Sequence, residues 1–137
     1  MHYAYYEGDW DRLPDFGNLK PLKEGTLPTI DLSPRNKPEY FGLEFTGFVR
    51  IPVDGVYAFY TDSDDGSDLF IGDAKIVDND GLHSMAEKKG VIALSAGLHR
   101  IRIGYFQKSG GRDLKVSFEG PGIEKQALSE SVLFHEK

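Results

Sequence analysis

The sequence contains no cysteine, which removes disulfide scaffolds, thiolate nucleophiles and Cys-ligated zinc, and leaves the redox compartment open because a cysteine-free chain suits either. No apolar run approaches the roughly 18 residues a spanning helix needs. With 28% charged residues and a mean hydropathy of -0.40, no membrane insertion is expected. No basic segment leading into an apolar run opens the chain, so no signal peptide is expected in the numbered residues, a property that a mature or excised form would share. Catalytic signatures are missing as well. There is no Gly-x-Ser-x-Gly elbow, no His-Glu-x-x-His helix and no phosphate-cradling glycine loop, and His2, His83, His99 and His135 are scattered. A carboxylate pair can hydrolyse a glycoside, but among 22 acidic residues any pairing is a weak signal, and catalysis is not expected.

What is present suits one domain spanning residues 1–137. At 15.3 kDa, with 39% hydrophobic and 12% aromatic residues, the chain is long enough to bury roughly 68% of its unfolded surface. The net charge of -6 is local: the segment from Asp62 to Asp80 holds seven Asp and one Lys, and the rest is neutral. Such a balance opposes nucleic acid or anionic lipid as partner, because both demand a basic footprint. It favours a cation, or hydroxyl groups that carboxylates accept from.

Period-2 patterning sets the fold class. Phe41, Leu43, Phe45, Gly47, Val49 and Ile51 alternate with more polar positions, Phe48 being the exception. The same parity holds for His99, Ile101, Ile103 and Tyr105, and for Leu114, Val116 and Phe118. Turn signals at Pro52 to Gly55, Asp64 to Ser67 and Ser95 to Gly97 separate these strands and are expected to join neighbours, and Gly110-Gly111 is expected to turn the chain from Tyr105-Phe106 into the Leu114 strand. With no 3.6-residue apolar stripe, the expected class is all-β: a single antiparallel β-sandwich or squat barrel with jelly-roll-like connections. The first third is less regular. Tyr3 to Tyr6 reads as an edge strand, and Trp10, Leu13, Phe16 and Leu19 recur every three residues, as in a turn or two of helix limited by Pro14 and Gly17. Trp10, Leu13 and Phe16 are expected to plug an open sandwich end, and the residues after Val132 to fray.

The strongest candidate for chemistry is the acidic segment. Ser63-Asp64-Asp65-Gly66-Ser67 places adjacent carboxylates in a turn, and Asp78-Asn79-Asp80-Gly81 supplies more oxygen donors a strand pair later. Two loops at one end of a sheet can converge into a Ca²⁺ site of six to eight oxygens, although neither stretch has EF-hand spacing. Asp-Gly is also a common hairpin turn, so spacing alone favours the same residues as turn formers, a reading that the mutual repulsion of seven Asp opposes. His83 and Glu87, in the loop after Asp80-Gly81, are placed for ligand contact or for solvation. Trp10, Tyr5, Tyr6, Tyr40 and Tyr105 are candidates for stacking on sugar rings, and a core explains most of them.

Tyr6-Glu7-Gly8-x-Trp10, Leu13-Pro14-Asp15-Phe16, Phe45-Thr46-Gly47-Phe48-Val49-Arg50-Ile51-Pro52, Gly55-Val56-Tyr57-Ala58-Phe59, the Ser63 to Ser67 block and Asp78-Asn79 occur in one order. In that order they closely resemble the protective-antigen domain family, a lectin-like β-sandwich module of anthrax-toxin protective antigen, fungal adhesins and bacterial glycosidases. The resemblance implies that Asp64 and Asp65, joined by a cis peptide, hold a Ca²⁺ that chelates sugar hydroxyls, with Asn79 as a further ligand. Asp80 departs from the Trp that many bacterial members carry after Asp-Asn, which leaves metal and sugar preference open. It further implies a non-catalytic carbohydrate-binding module whose partners are a glycan or oligosaccharide and a catalytic domain of the same parent chain, in an exported glycan-processing enzyme. The alternatives are a structural domain that positions or lids a catalytic neighbour and, last, a glycosidase in its own right.

Overall fold

A computed structural model describes residues 1–134. The strands are β1 (His2–Glu7), β2 (Lys23–Thr26), β3 (Phe41–Ile51), β4 (Gly55–Asp64), β5 (Ser67–Ile71), β6 (Ala74–Asn79), β7 (Ala86–Leu94), β8 (Gly97–Gln107), β9 (Asp113–Gly120), β10 (Ile123–Ala127) and β11 (Leu133–Phe134). They form two antiparallel sheets. The larger runs β2-β1-β3-β8-β5-β6, with β11 sharing the edge of β3 that β1 occupies further along, and the smaller runs β10-β9-β4-β7. The all-β sandwich expectation holds.

Alternation decides which side chains meet between the sheets. Phe41, Leu43, Phe45, Val49 and Ile51 of β3 are buried with Tyr57, Phe59, Ile101, Ile103, Leu114, Val116 and Phe118, the set that parity selects. A one-residue slip would turn every one of them to solvent. Phe59 and Phe118 stack across β4 and β9 with centroids 6.2 Å apart, which ties the small sheet to the core.

Three expectations need correcting. The turns at Pro52 to Gly55, Asp64 to Ser67 and Ser95 to Gly97 do not join sheet neighbours: each carries the chain from one sheet to the other. Turn chemistry specifies a reversal, and both an adjacent and a facing strand satisfy it. The Tyr3 to Tyr6 segment is not an edge, because β2 flanks it. Nor is there a helix through Trp10 to Leu19. One 3₁₀ turn, Phe16–Asn18, interrupts an irregular strap whose Trp10, Leu13 and Phe16 pack with Ala4 and Tyr6 on the outer face of the larger sheet rather than across a sandwich end. Gly42 and Gly104 make room for it: a Cβ on either would press on Phe16 at 3.0 Å and 3.4 Å. The chain continues past Val132 as β11, and the rest of the expected fraying lies outside the described residues. No helix among the described residues is long and apolar enough to cross a membrane.

Candidate functional site

The turn between β4 and β5 stands on a buried polar base. Thr61, Ser63, Ser67 and Asn79 are all buried. Buried polar atoms need partners, and here they find one another. The Ser63 and Ser67 hydroxyls lie 2.6 Å apart, and Ser67 donates to Thr61 Oγ1 at 2.9 Å. Asn79 Nδ2 donates to the carbonyls of Thr61 at 3.1 Å and Ala86 at 2.8 Å, which fastens the end of β6 and the start of β7 to β4. The serines of the acidic block are therefore interior pins. The carboxylates Asp64 and Asp65, joined by a cis peptide, sit between them.

Three loops meet at this turn. A Cβ on Gly66 would fall 2.8 Å from the Gly81 nitrogen, so only glycine lets the Asp64 to Gly66 turn lie against the Asp80-Gly81 loop. From the β8–β9 loop, the Lys108 amide donates to Asp65 Oδ2 at 2.9 Å, and Gly111 approaches so closely that its Cβ would lie 3.2 Å from Asp64 Oδ2. The Tyr105 hydroxyl donates to the Asp64 carbonyl from within the core. Tyr40 adds a fourth contact: its amide donates to the Lys108 carbonyl at 3.0 Å while its backbone holds a left-handed φ of 60°, uncommon outside glycine.

The electrostatics follow from this packing. Burial pushes the Asp64 carboxyl up from its ordinary value, and the charge of Asp65 beside it pushes the same way, only partly offset by His83. Burial pulls the His83 imidazole down, but the carbonyls of Asn79 and Ser84 and the carboxylates of Asp65 and Asp64 outweigh it and the net shift is upward. Both His83 nitrogens lie 2.8 Å from a carbonyl oxygen, Nδ1 from Ser84 and Nε2 from Asn79, an arrangement that only the doubly protonated ring satisfies. The two acids thus share a position that favours positive charge.

Of the residues singled out in the sequence, Asp64, Asp65, Asn79 and His83 come together. Glu87 does not join them: it is the second residue of β7, ion-paired with Lys125 at 2.8 Å, because β7 begins at Ala86 and takes Glu87 out of the loop. The acidic segment disperses in the same way. Asp80 accepts the Leu13 amide at 2.7 Å, Asp68 lies on the larger sheet and Asp73 sits at the far end of β5. Among the described residues no three His, Asp or Glu side chains cluster to hold a metal. A cation at the turn would draw two carboxylates and complete its shell with neutral oxygens. Among the described residues no donor bonds Asn79 Oδ1. An all-oxygen donor set with two adjacent anions fits Ca²⁺. Sequence reasoning did not find Lys108 or Gly111, whose only signal was a Gly-Gly turn. Of the candidate rings, Tyr5, Tyr6 and Tyr105 are core, while Tyr40 is half-exposed and tied to the Lys108 segment.

Comparison with known proteins places these features in a wider setting. The family profile described as PA14 domain matches residues 31–131. A curated relative, a beta-hexosaminidase of Porphyromonas gingivalis, is 30% identical over 104 residues, 69% of this chain and 13% of that protein. Among solved structures, an anti-sigma factor domain-containing protein from Clostridium clariflavum superposes with a TM-score of 0.80 at 26% identity, over 98% of this chain and 47% of that one. A PA14 sugar-binding domain from an RTX adhesin superposes at 0.82 with 13% identity, over 99% of this chain and 98% of that one. The chain thus spans a small part of the enzyme and under half of the anti-sigma factor protein, but nearly all of the adhesin domain.

Proposed function

The chain belongs to the PA14 domain family, and on that premise we propose that it is a non-catalytic carbohydrate-binding module that takes a glycan at the loop end and holds Ca²⁺ there on Asp64 and Asp65. One observation carries the reading: two adjacent, partly buried carboxylates meet where three loops converge, and burial together with the neighbouring charge of Asp65 pushes the Asp64 carboxyl up even with His83 nearby. Asn79 Oδ1 and nearby backbone carbonyls supply the neutral ligands. When bound, Ca²⁺ provides a hard centre whose waters exchange for vicinal sugar hydroxyls. Tyr40 offers an aromatic face beside it. His83 is no general base, because carbonyl oxygens face both of its nitrogens.

The sugar-binding description of the adhesin domain supports a glycan as ligand, and the hexosaminidase supports a parent chain that processes glycans. The partial coverage of two longer proteins favours one second reading, a domain that positions a neighbour in its chain. A glycan array on the isolated chain, with and without chelator, tests both. Signals that chelator abolishes support the module, silence supports the positioning role, and turnover of an aryl glycoside overturns both.

A further inference from the structure

The outer face of the smaller sheet carries a pocket that the loop end does not use. Alternation that buries Tyr57, Phe59 and Thr61 in β4 turns Tyr60 and Asp62 outward. Strand register then sets Asp62 opposite Glu87 of β7 on one side and Lys115 of β9 on the other. Like charges directly opposite one another cost stability. The structure relieves that cost at Glu87 alone. Lys125 reaches over from β10, lies 4.1 Å from the Tyr60 ring centroid and donates to both Glu87 carboxylate oxygens, at 2.9 Å and 2.8 Å. Asp62 receives no such partner. Among the described residues no hydrogen bond or ion pair engages the side chains of Asp62, Lys115, Ser117 or Gln126. These four share a pocket of about 410 Å³ with the apolar Ile30 and Leu128, and the Glu87 and Lys125 pair forms one wall of it.

We propose that this pocket is a second ligand site, which takes a neutral sugar unit of a glycan without calcium. Its volume falls in the range of small-molecule sites, roughly 300–1,000 Å³. Two carboxylates and two ammonium groups line it, so the charge of the lining sums to zero and favours neither an acid nor an amine. What remains is a mixture of unused donors and acceptors. Asp62 accepts, Lys115 donates, and Ser117 and Gln126 do both; a sugar ring matches that mixture because each of its hydroxyls donates and accepts. The C–H face of the ring covers Ile30 and Leu128, in the usual pattern of an apolar lining with a few placed polar groups. Repulsion between Asp62 and Glu87 is a cost that selection for stability alone would remove, and a ligand gives it a use. Glu87, which β7 carries away from the acidic turn, thus borders a site of its own. No step here uses the carboxylates of Asp64 and Asp65, so the inference stands independently of the loop-end reading.

The test is an amide-resolved NMR titration of the whole chain in chelator, with cellobiose, maltose, lactose and diacetylchitobiose. At least one should shift Lys115, Ser117 and Gln126 saturably, and more than Gly66, Gly81 and Gly111. Glucuronate and glucosamine at matched concentrations should shift the same amides less. Asp62→Asn should weaken binding about tenfold, as loss of hydrogen bonds to a charged acceptor requires. It should also melt no lower than wild type, because it removes the repulsion with Glu87, an outcome that a structural role for Asp62 does not give. Lys115→Met, which removes the donor on the other side, should weaken binding as well and serves if Asp62→Asn fails to fold. No shift with any of the four sugars, shifts centred on the loop end, equal binding of the acid or the amine, unchanged affinity in both variants, or a folded Asp62→Asn that melts well below wild type would each overturn the inference.

Discussion

Asp68 offers a quantitative check on how the N-terminal strap packs. Its side chain lies on the outer face of the larger sheet, buried with Leu13 and Phe16 against Gly104, and its Oδ1 accepts the Gly104 amide at 3.1 Å. Burial pushes its carboxyl up to about 6, against the opposing pull of Lys75, the Gly104 amide and Arg102. In the unfolded chain the same group titrates near 3.9. Because the folded value is the higher one, the native state holds the proton more tightly, so this site's contribution is fully present below about pH 3.9 and is lost as the pH rises through about 6. Two pH units correspond to about 3 kcal/mol. Asp68→Asn removes the titration and keeps an acceptor for the Gly104 amide. The pair with Lys75, at 3.9 Å and half in solvent, is worth about 1 kcal/mol at most. Urea unfolding of both proteins from about pH 4 to about pH 7.5 should show the variant gaining about 2 to 3 kcal/mol on wild type, with most of the change falling between about pH 4 and about pH 6 and a plateau above. Other carboxylates cancel in the difference. Parallel curves, or a variant that loses ground as the pH rises, would refute the placement of Asp68 beneath the strap.

Two further outcomes follow. Gly90 of β7 lies against β6 so closely that a Cβ would fall 1.7 Å from the Ile76 carbonyl, so Gly90→Ala should lower stability by about 1 to 3 kcal/mol in urea unfolding; an unchanged midpoint would mean that the two edges do not pack. Tyr40→Ala should weaken glycan binding by about 1 kcal/mol, roughly fivefold by calorimetry, while leaving Ca²⁺ affinity alone; unchanged glycan affinity would remove Tyr40 from the site.

The parts of the fold legible in the sequence are those where one face is buried and the other wet. Between Phe41 and Ile51 the alternation admits one register, and the structure adopts it. Short strands β2 and β10 left no such trace, because Lys23 to Thr26 and Ile123 to Ala127 are largely exposed and their charged or small residues fit a loop as well. The spacing of Trp10, Leu13 and Phe16 imitates a helix because three residues per step also suits an extended strap that dips repeatedly onto a sheet. At the site, Asp64 and Asp65 stood out because adjacent acids in a turn need an explanation. Nothing in sequence order distinguished His83, which stays with them, from Glu87, which β7 carries away. The Lys108 amide is a backbone group and leaves no sequence mark at all.

The most direct test of the account is the melting temperature of the chelator-stripped chain against Ca²⁺. A ligand that binds only the native state adds about 2.7 kcal/mol at a hundred times its Kd, so wild type should melt several degrees higher and Mg²⁺ should do less. Asp64→Asn should abolish the gain, whereas Asp73→Asn, altered in the same acidic stretch but at the other end of β5, should keep it. If Ca²⁺ raises wild type and Asp64→Asn alike, or raises neither, the adjacent acids are solvated turn residues and the calcium-dependent site does not exist.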